Sequence, residues 1–96
     1  MFYKLNDDKT VSKVDIKDIS DKVSNILFKD IIGDSTVSTV FLWIDHNFSG
    51  GQPVLFETMI FGGKYDGEQF RYQNYENAAS GHKFLVYLLE QETHSE

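Results

Sequence analysis

The chain contains no cysteine and a single proline in 96 residues. Without cysteine there is no disulfide framework, no thiolate zinc site and no cysteine nucleophile. This excludes a bridged secreted scaffold and points to a reducing compartment. Long apolar runs are also missing. Val40 to Ile44 falls far short of the ~20 residues that span a bilayer, and Met1-Phe2-Tyr3-Lys4-Leu5 lacks the basic-then-apolar order of a secretion signal. Clustered cations are absent too: nine Lys and Arg stand against fifteen Asp and Glu, for a net charge of -6, and residues 75–96 set Lys83 alone against Glu76, Glu90, Glu92 and Glu96. An acidic surface repels phosphate backbones, so direct nucleic-acid binding is not expected. It favours a basic partner, such as a protein that itself binds nucleic acid, because opposite charge speeds encounter. The expectation is a cytoplasmic protein with no membrane segment.

What is present suffices for one domain over residues 1–96: 41% of the residues are hydrophobic and 15% aromatic, too many for a disordered tail. A chain of this size buries only about 60 to 65% of its unfolded surface, so each large apolar side chain in its thin core counts. Met1 to Leu5 and Thr10 to Val14 flank the polar cluster Asn6-Asp7-Asp8-Lys9 and read as a hairpin. Asp15 or Asp18 can cap a short helix in which Ile16, Ile19, Val23, Ile26 and Leu27 recur at helical steps. Strands follow at Leu27 to Ile32, Ser35 to Asp45, Val54 to Gly62 and Glu68 to Gln73, with connections too short for crossover helices. Asn74 caps a final helix whose Tyr75, Ala78, Ala79, His82, Leu85, Val86 and Leu89 share one face. The expected fold class is α+β: an antiparallel four-stranded meander with a C-terminal helix packed on one face, plus a short N-terminal hairpin and helix.

Side chains alternate along a strand, and both faces of the two central strands read as largely apolar. One face suits the last helix. The other is covered by the first helix and hairpin, or it leaves Phe41, Trp43, Met59 and Phe61 as a partner or self-association patch, with Phe48 in the adjoining loop. So little chain for two full layers favours at least a homodimer.

The candidates for chemistry are Asp45, His46, Glu57 and His82, which together could serve a small metal-dependent or acid–base enzyme. Asp45 and His46 are neighbours that point to opposite faces if the strand continues through them. In the expected topology His46 and His82 lie about 12 Å apart along the helix axis, too far to share an ion. Glu57 has Arg71 as its natural partner. His82 sits on an apolar helix face beside Gly81, either as a buried neutral imidazole bonded to a group such as Thr58 or as a pocket residue. Gly81 itself implies close approach of another backbone. The Gly50-Gly51 and Gly62-Gly63 pairs are not followed by helix starts, so no phosphate loop and no cofactor is expected.

Met1 to Leu5, Val37-Ser38-Thr39-Val40-Phe41-Leu42, Asp45-His46, Phe48, Pro53, Leu55-Phe56-Glu57-Thr58-Met59, Phe61-Gly62-Gly63, Arg71-Tyr72, Ala78 and Gly81-His82 form a pattern that resembles a family of small bacteriophage and prophage proteins. The similarity covers most of the chain and is weakest over residues 9–30. Trp43 departs from the small residue common at that position, so a patch around it is peculiar to this member. The family transfers no activity, only a context: an accessory product that binds and modulates or inhibits a host protein, including a defence system such as a CRISPR nuclease.

Overall fold

A computed structural model describes residues 2–15, 17, 25–44 and 51–94. Strands β1 (Phe2–Leu5) and β2 (Val11–Val14) form an antiparallel hairpin paired from Phe2↔Val14 to Leu5↔Val11. Its turn is held by Asp8, whose carboxylate accepts from the Thr10 hydroxyl at 2.5 Å and the Thr10 backbone N–H at 3.1 Å. These bonds favour the charged form and draw the Asp8 pKa below its usual value.

Four further strands, β3 (Ile26–Ile32), β4 (Ser35–Phe41), β5 (Phe56–Phe61) and β6 (Gln69–Tyr72), form an antiparallel sheet in sequence order. The β3–β4 turn is Gly33-Asp34, with Gly33 at φ 59°, where only glycine is free of a Cβ clash. The chain ends in helix α1 (Tyr75–His94). The Asn74 side-chain oxygen accepts from the Asn77 N–H at 2.8 Å, and Glu76 lies in the first turn, opposite the helix dipole. No described helix is long and apolar enough to cross a membrane.

The meander, the C-terminal helix and the N-terminal hairpin follow the sequence expectation. Two details do not. The first helix was expected to run through Ile26 and Leu27, but these residues open β3, where the register with β4 shifts between Ile26 and Phe28. The remainder of that helix lies outside the described residues, apart from Asp15, Lys17 and Asn25. Strand β4 ends at Phe41 rather than Asp45. Leu42 still donates to the Leu55 carbonyl at 2.6 Å, but the Trp43 carbonyl accepts from Tyr3 at 2.8 Å and Ile44 bridges Phe2. Beyond Phe41 the chain leaves β5 and takes the hairpin as its partner.

The β4–β5 register pairs Val37 with Ile60, Thr39 with Thr58 and Phe41 with Phe56, and all six side chains are buried on the face that carries α1. The core falls into two apolar clusters. Tyr3, Phe41, Leu55, Phe56 and Ala78 pack at the hairpin end; Val37, Ile60 and Leu89 pack at the other. Between them lies a polar layer of Thr39, Thr58 and His82, all buried.

Candidate functional site

His82 occupies the α1 face shared with Ala78, Leu85 and Leu89, which places its ring directly over the centre of the sheet. Its Nδ1 lies 2.7 Å from the Thr39 hydroxyl, which lies 2.5 Å from the Thr58 hydroxyl. Its Nε2 lies 2.7 Å from an Asp30 carboxylate oxygen on β3. A carboxylate only accepts, so Nε2 carries a proton; in the neutral imidazole Nδ1 then accepts from Thr39, and Thr39 accepts from Thr58. Phe28 flanks the ring, with centroids 5.4 Å apart. The chain Asp30–His82–Thr39–Thr58 therefore runs from solvent, where Asp30 keeps 54% of its side chain exposed, into the middle of the core. No buried side-chain polar atom among the described residues lacks a partner.

An acid, an imidazole and a hydroxyl in that order match the roles of a hydrolytic triad. Here the hydroxyl is fully buried beneath α1. A reacting carbonyl must reach within about 3 Å of both the nucleophile and the oxyanion donors, and the core leaves no such position at Thr39. The network joins β3, β4 and β5 to the helix. His82 is a buried imidazole bonded to a threonine, as one of the two sequence readings has it, with Thr39 as the direct partner and Thr58 one bond further on.

Gly81 follows a different logic from the expected backbone approach. A Cβ built there would come within 3.0 Å of three atoms of the Tyr72 ring and hydroxyl, so the side chain of Tyr72, and no backbone, occupies the space.

Glu57 lies on the opposite face of the sheet, paired to Arg71 through Nε at 2.9 Å. This is the expected ion pair, and the sheet itself separates Glu57 from His82. Asp45 and His46 lie outside the described residues, and among the described residues no three His, Cys, Asp or Glu side chains cluster as a metal site would require. The enzyme constellation is thus not brought together where it can be traced.

The partner patch is divided as well. Phe41 is buried under α1, whereas Met59 and Phe61 lie on the outer face. Trp43, past the end of β4, stacks on Phe2 at 5.5 Å and 13°. Phe48 lies outside the described residues. On the outer face, Ile31 and Phe61 flank Thr36, and Lys29 and Met59 flank Ser38. Ile31 is 73% and Phe61 49% exposed.

A surface absent from the sequence reading is a groove of about 700 Å³ between α1 and β6, lined chiefly by Phe70, Tyr72, Phe84, Leu85 and Leu88. Its signal was present in the spacing: Phe84 and Leu88 stand four residues apart, off the stripe of Ala78, His82, Leu85 and Leu89, so α1 carries a second apolar line. Glu68 and Glu92 also border it. The Tyr65 hydroxyl donates to Glu92 at 2.5 Å, which favours the protonated phenol and pushes its pKa above the ordinary 10.0. A raised folded-state pKa means that this contact supports the fold below the ordinary value and is lost as pH rises through the raised one. Glu92→Gln is expected to bring the Tyr65 ionisation back down in a phenolate absorbance titration. An unchanged titration would show that the two groups are not in contact in solution.

The molecule is thus an α+β domain with one helix-covered sheet face, a polar network buried except at Asp30, an apolar groove beside β6, and Ile31 and Phe61 exposed on the outer face. Compared with models of known protein families, with curated protein sequences and with solved structures, the chain matches none of them.

Proposed function

We propose that the chain is a protein-binding module, an accessory product of phage or prophage origin that docks on a host protein and modulates or inhibits it. The observation that supports this reading is that Ile31 and Phe61, 73% and 49% exposed, flank Thr36 on the outer sheet face with Met59 beside them, large apolar side chains set among polar ones on a face that no described helix covers. Its borders are charged: Lys29 lies on the same face, and Arg71 and Glu57 form their ion pair there. Apolar centres with charged rims are the usual anatomy of protein interfaces. The net charge of -6 selects for a basic partner, such as a nucleic-acid-binding host protein in the cytoplasm.

Affinity capture of the tagged chain from lysate of its bacterial host tests this, with Ile31→Asp and Phe61→Asp as comparisons. Both sites are exposed, so circular dichroism is expected to stay unchanged. One host protein is expected near stoichiometry with the wild type, and its purified form is expected to bind the variants at least about tenfold more weakly. Equal binding by the variants would remove this face from the reading. Failure to capture any host protein would remove the reading itself.

A further inference from the structure

We infer that the groove beside β6 is the seat of a second copy of this chain, which adds its own β6 antiparallel to the first across a two-fold axis. The inference goes beyond host binding and uses the sheet edge and the helix flank, meeting the host-docking face only at the Arg71–Glu57 pair, so variants at Phe84 and Leu88 test it apart from variants at Ile31 and Phe61.

Among the described residues strand β6 is an edge, paired with β5 on one side. The Ile60 N–H donates to the Glu68 carbonyl at 3.0 Å, and the β5–β6 register runs on from that pair. Backbone groups alternate in direction along a strand, so Phe70 and Tyr72 bond inward to β5 while Gln69 and Arg71 present N–H and C=O outward. The edge carries no proline, and its one charge, on Arg71, is already held by Glu57 at 2.9 Å. Of the usual devices that blunt an edge, its shortness is the one that operates here.

A two-fold antiparallel pairing must satisfy two conditions at once: like faces stay together, and outward groups meet outward groups. Centring the axis on Arg71 meets both and uses all of β6. Arg71 then exchanges two backbone hydrogen bonds with its counterpart, and Gln69 pairs with Gln73. On the helix side, Phe70 lies opposite Tyr72 of the second copy, twice over, and aromatic cross-strand pairs of this kind stabilise sheets. The facing Arg71 side chains each bring a Glu57 carboxylate, so ion pairs meet rather than bare cations. One residue further along the same register, Glu68 comes opposite Asn74 of the second copy, at the start of its α1, where a carboxylate is favoured.

Both helices then lie on one side of a continuous eight-stranded sheet. Phe84 is 60% exposed and Leu88 is exposed beside it, and both border the groove that the second copy would fill. A standard interface takes about 800 Å² from each partner, more than a four-residue strand can supply, so the pairing also draws on the exposed Phe84 and Leu88 of the helix flank.

Sedimentation equilibrium of the full chain from about 5 to about 500 µM, with amide hydrogen exchange at both ends of the range, tests this. The expected result is twice the 11.1 kDa chain mass at the upper end, with Gln69 and Arg71 amides exchanging at least about tenfold more slowly there than on dilution. Phe84→Glu combined with Leu88→Glu is expected to leave a folded monomer throughout. Gln69→Pro, which removes an outward N–H without touching the β5 ladder, is expected to weaken association on its own. A monomer at every concentration would overturn the inference. So would a dimer whose Gln69 and Arg71 amides exchange freely, or one that persists in the variants and dissociates with Phe61→Asp.

Discussion

Replacing Phe56 with alanine is expected to destabilise the domain by about 3–5 kcal/mol. Phe56 is 1% exposed at the hairpin end of the core. Its ring meets Phe41 edge-on with centroids 5.5 Å apart and Tyr75 at 6.3 Å, and it belongs to the cluster of Tyr3, Leu55 and Ala78. Truncation removes transfer energy and leaves a cavity walled by a sheet and a helix that cannot both close onto it. A chain of this length has a total stability of roughly 5–14 kcal/mol, so one substitution takes about a fifth of it or more. Urea titration followed by far-UV circular dichroism would read the loss. The conservative Phe56→Leu is expected to cost much less, about 1–2 kcal/mol. A loss below about 1 kcal/mol for the alanine variant would mean that the hairpin end is loosely packed. The β1–β2 hairpin would then contribute little to the core despite the burial of Tyr3.

His82→Ala carries the second large effect, about 3 kcal/mol, and for a different reason. The imidazole makes two hydrogen bonds, one to the half-exposed Asp30 carboxylate, worth under about 1 kcal/mol, and one to a buried hydroxyl, worth about 1 kcal/mol. Its removal also leaves a cavity beside two buried threonines. Position along the network is expected to grade the cost. Thr39→Val keeps the shape and deprives both His82 and Thr58 of a partner, at about 1–3 kcal/mol. Asp30→Asn acts at the exposed end, where water replaces the lost contact, and is expected to cost under about 1 kcal/mol. The same urea titration ranks the three. If Asp30→Asn proved as costly as His82→Ala, the network would depend on its outer charge rather than on its buried hydroxyls. That order would return His82 to consideration as a functional group.

Much of this site could be read from local pattern. The helix from Asn74 onward, with His82 on its apolar stripe, follows from capping and from the spacing of Ala78, Leu85 and Leu89, because helical periodicity is a property of neighbouring residues. The Glu57–Arg71 pair was equally legible, since opposite charges on adjacent strands find each other wherever the register allows. The partner of His82 was not fully legible. Asp30 stands 52 residues away in sequence, in a segment that reads as an ordinary solvated strand edge, and no local rule distinguishes it from Asp34 or Asp15. The groove beside β6 was missed because the second apolar line of α1 matters only once β6 is known to leave it uncovered.

Local spacing sufficed for the class and most of the elements: four strands in an antiparallel meander, an N-terminal hairpin, a C-terminal helix and a net charge of -6. Each of these rests on the spacing of apolar, turn-forming or charged residues within a few positions of one another. The tertiary structure alone decided which residues share a face. Alternation assigns sides within a strand, but the pairing register of β4 with β5 sets their relative phase. That phase places Phe41 opposite Phe56 under the helix and sends Met59 and Phe61 to the other side. It also brings Thr39 and Thr58 together beneath His82, because contacts between distant segments depend on register and on where a strand ends, and neither is written in the residues of one strand.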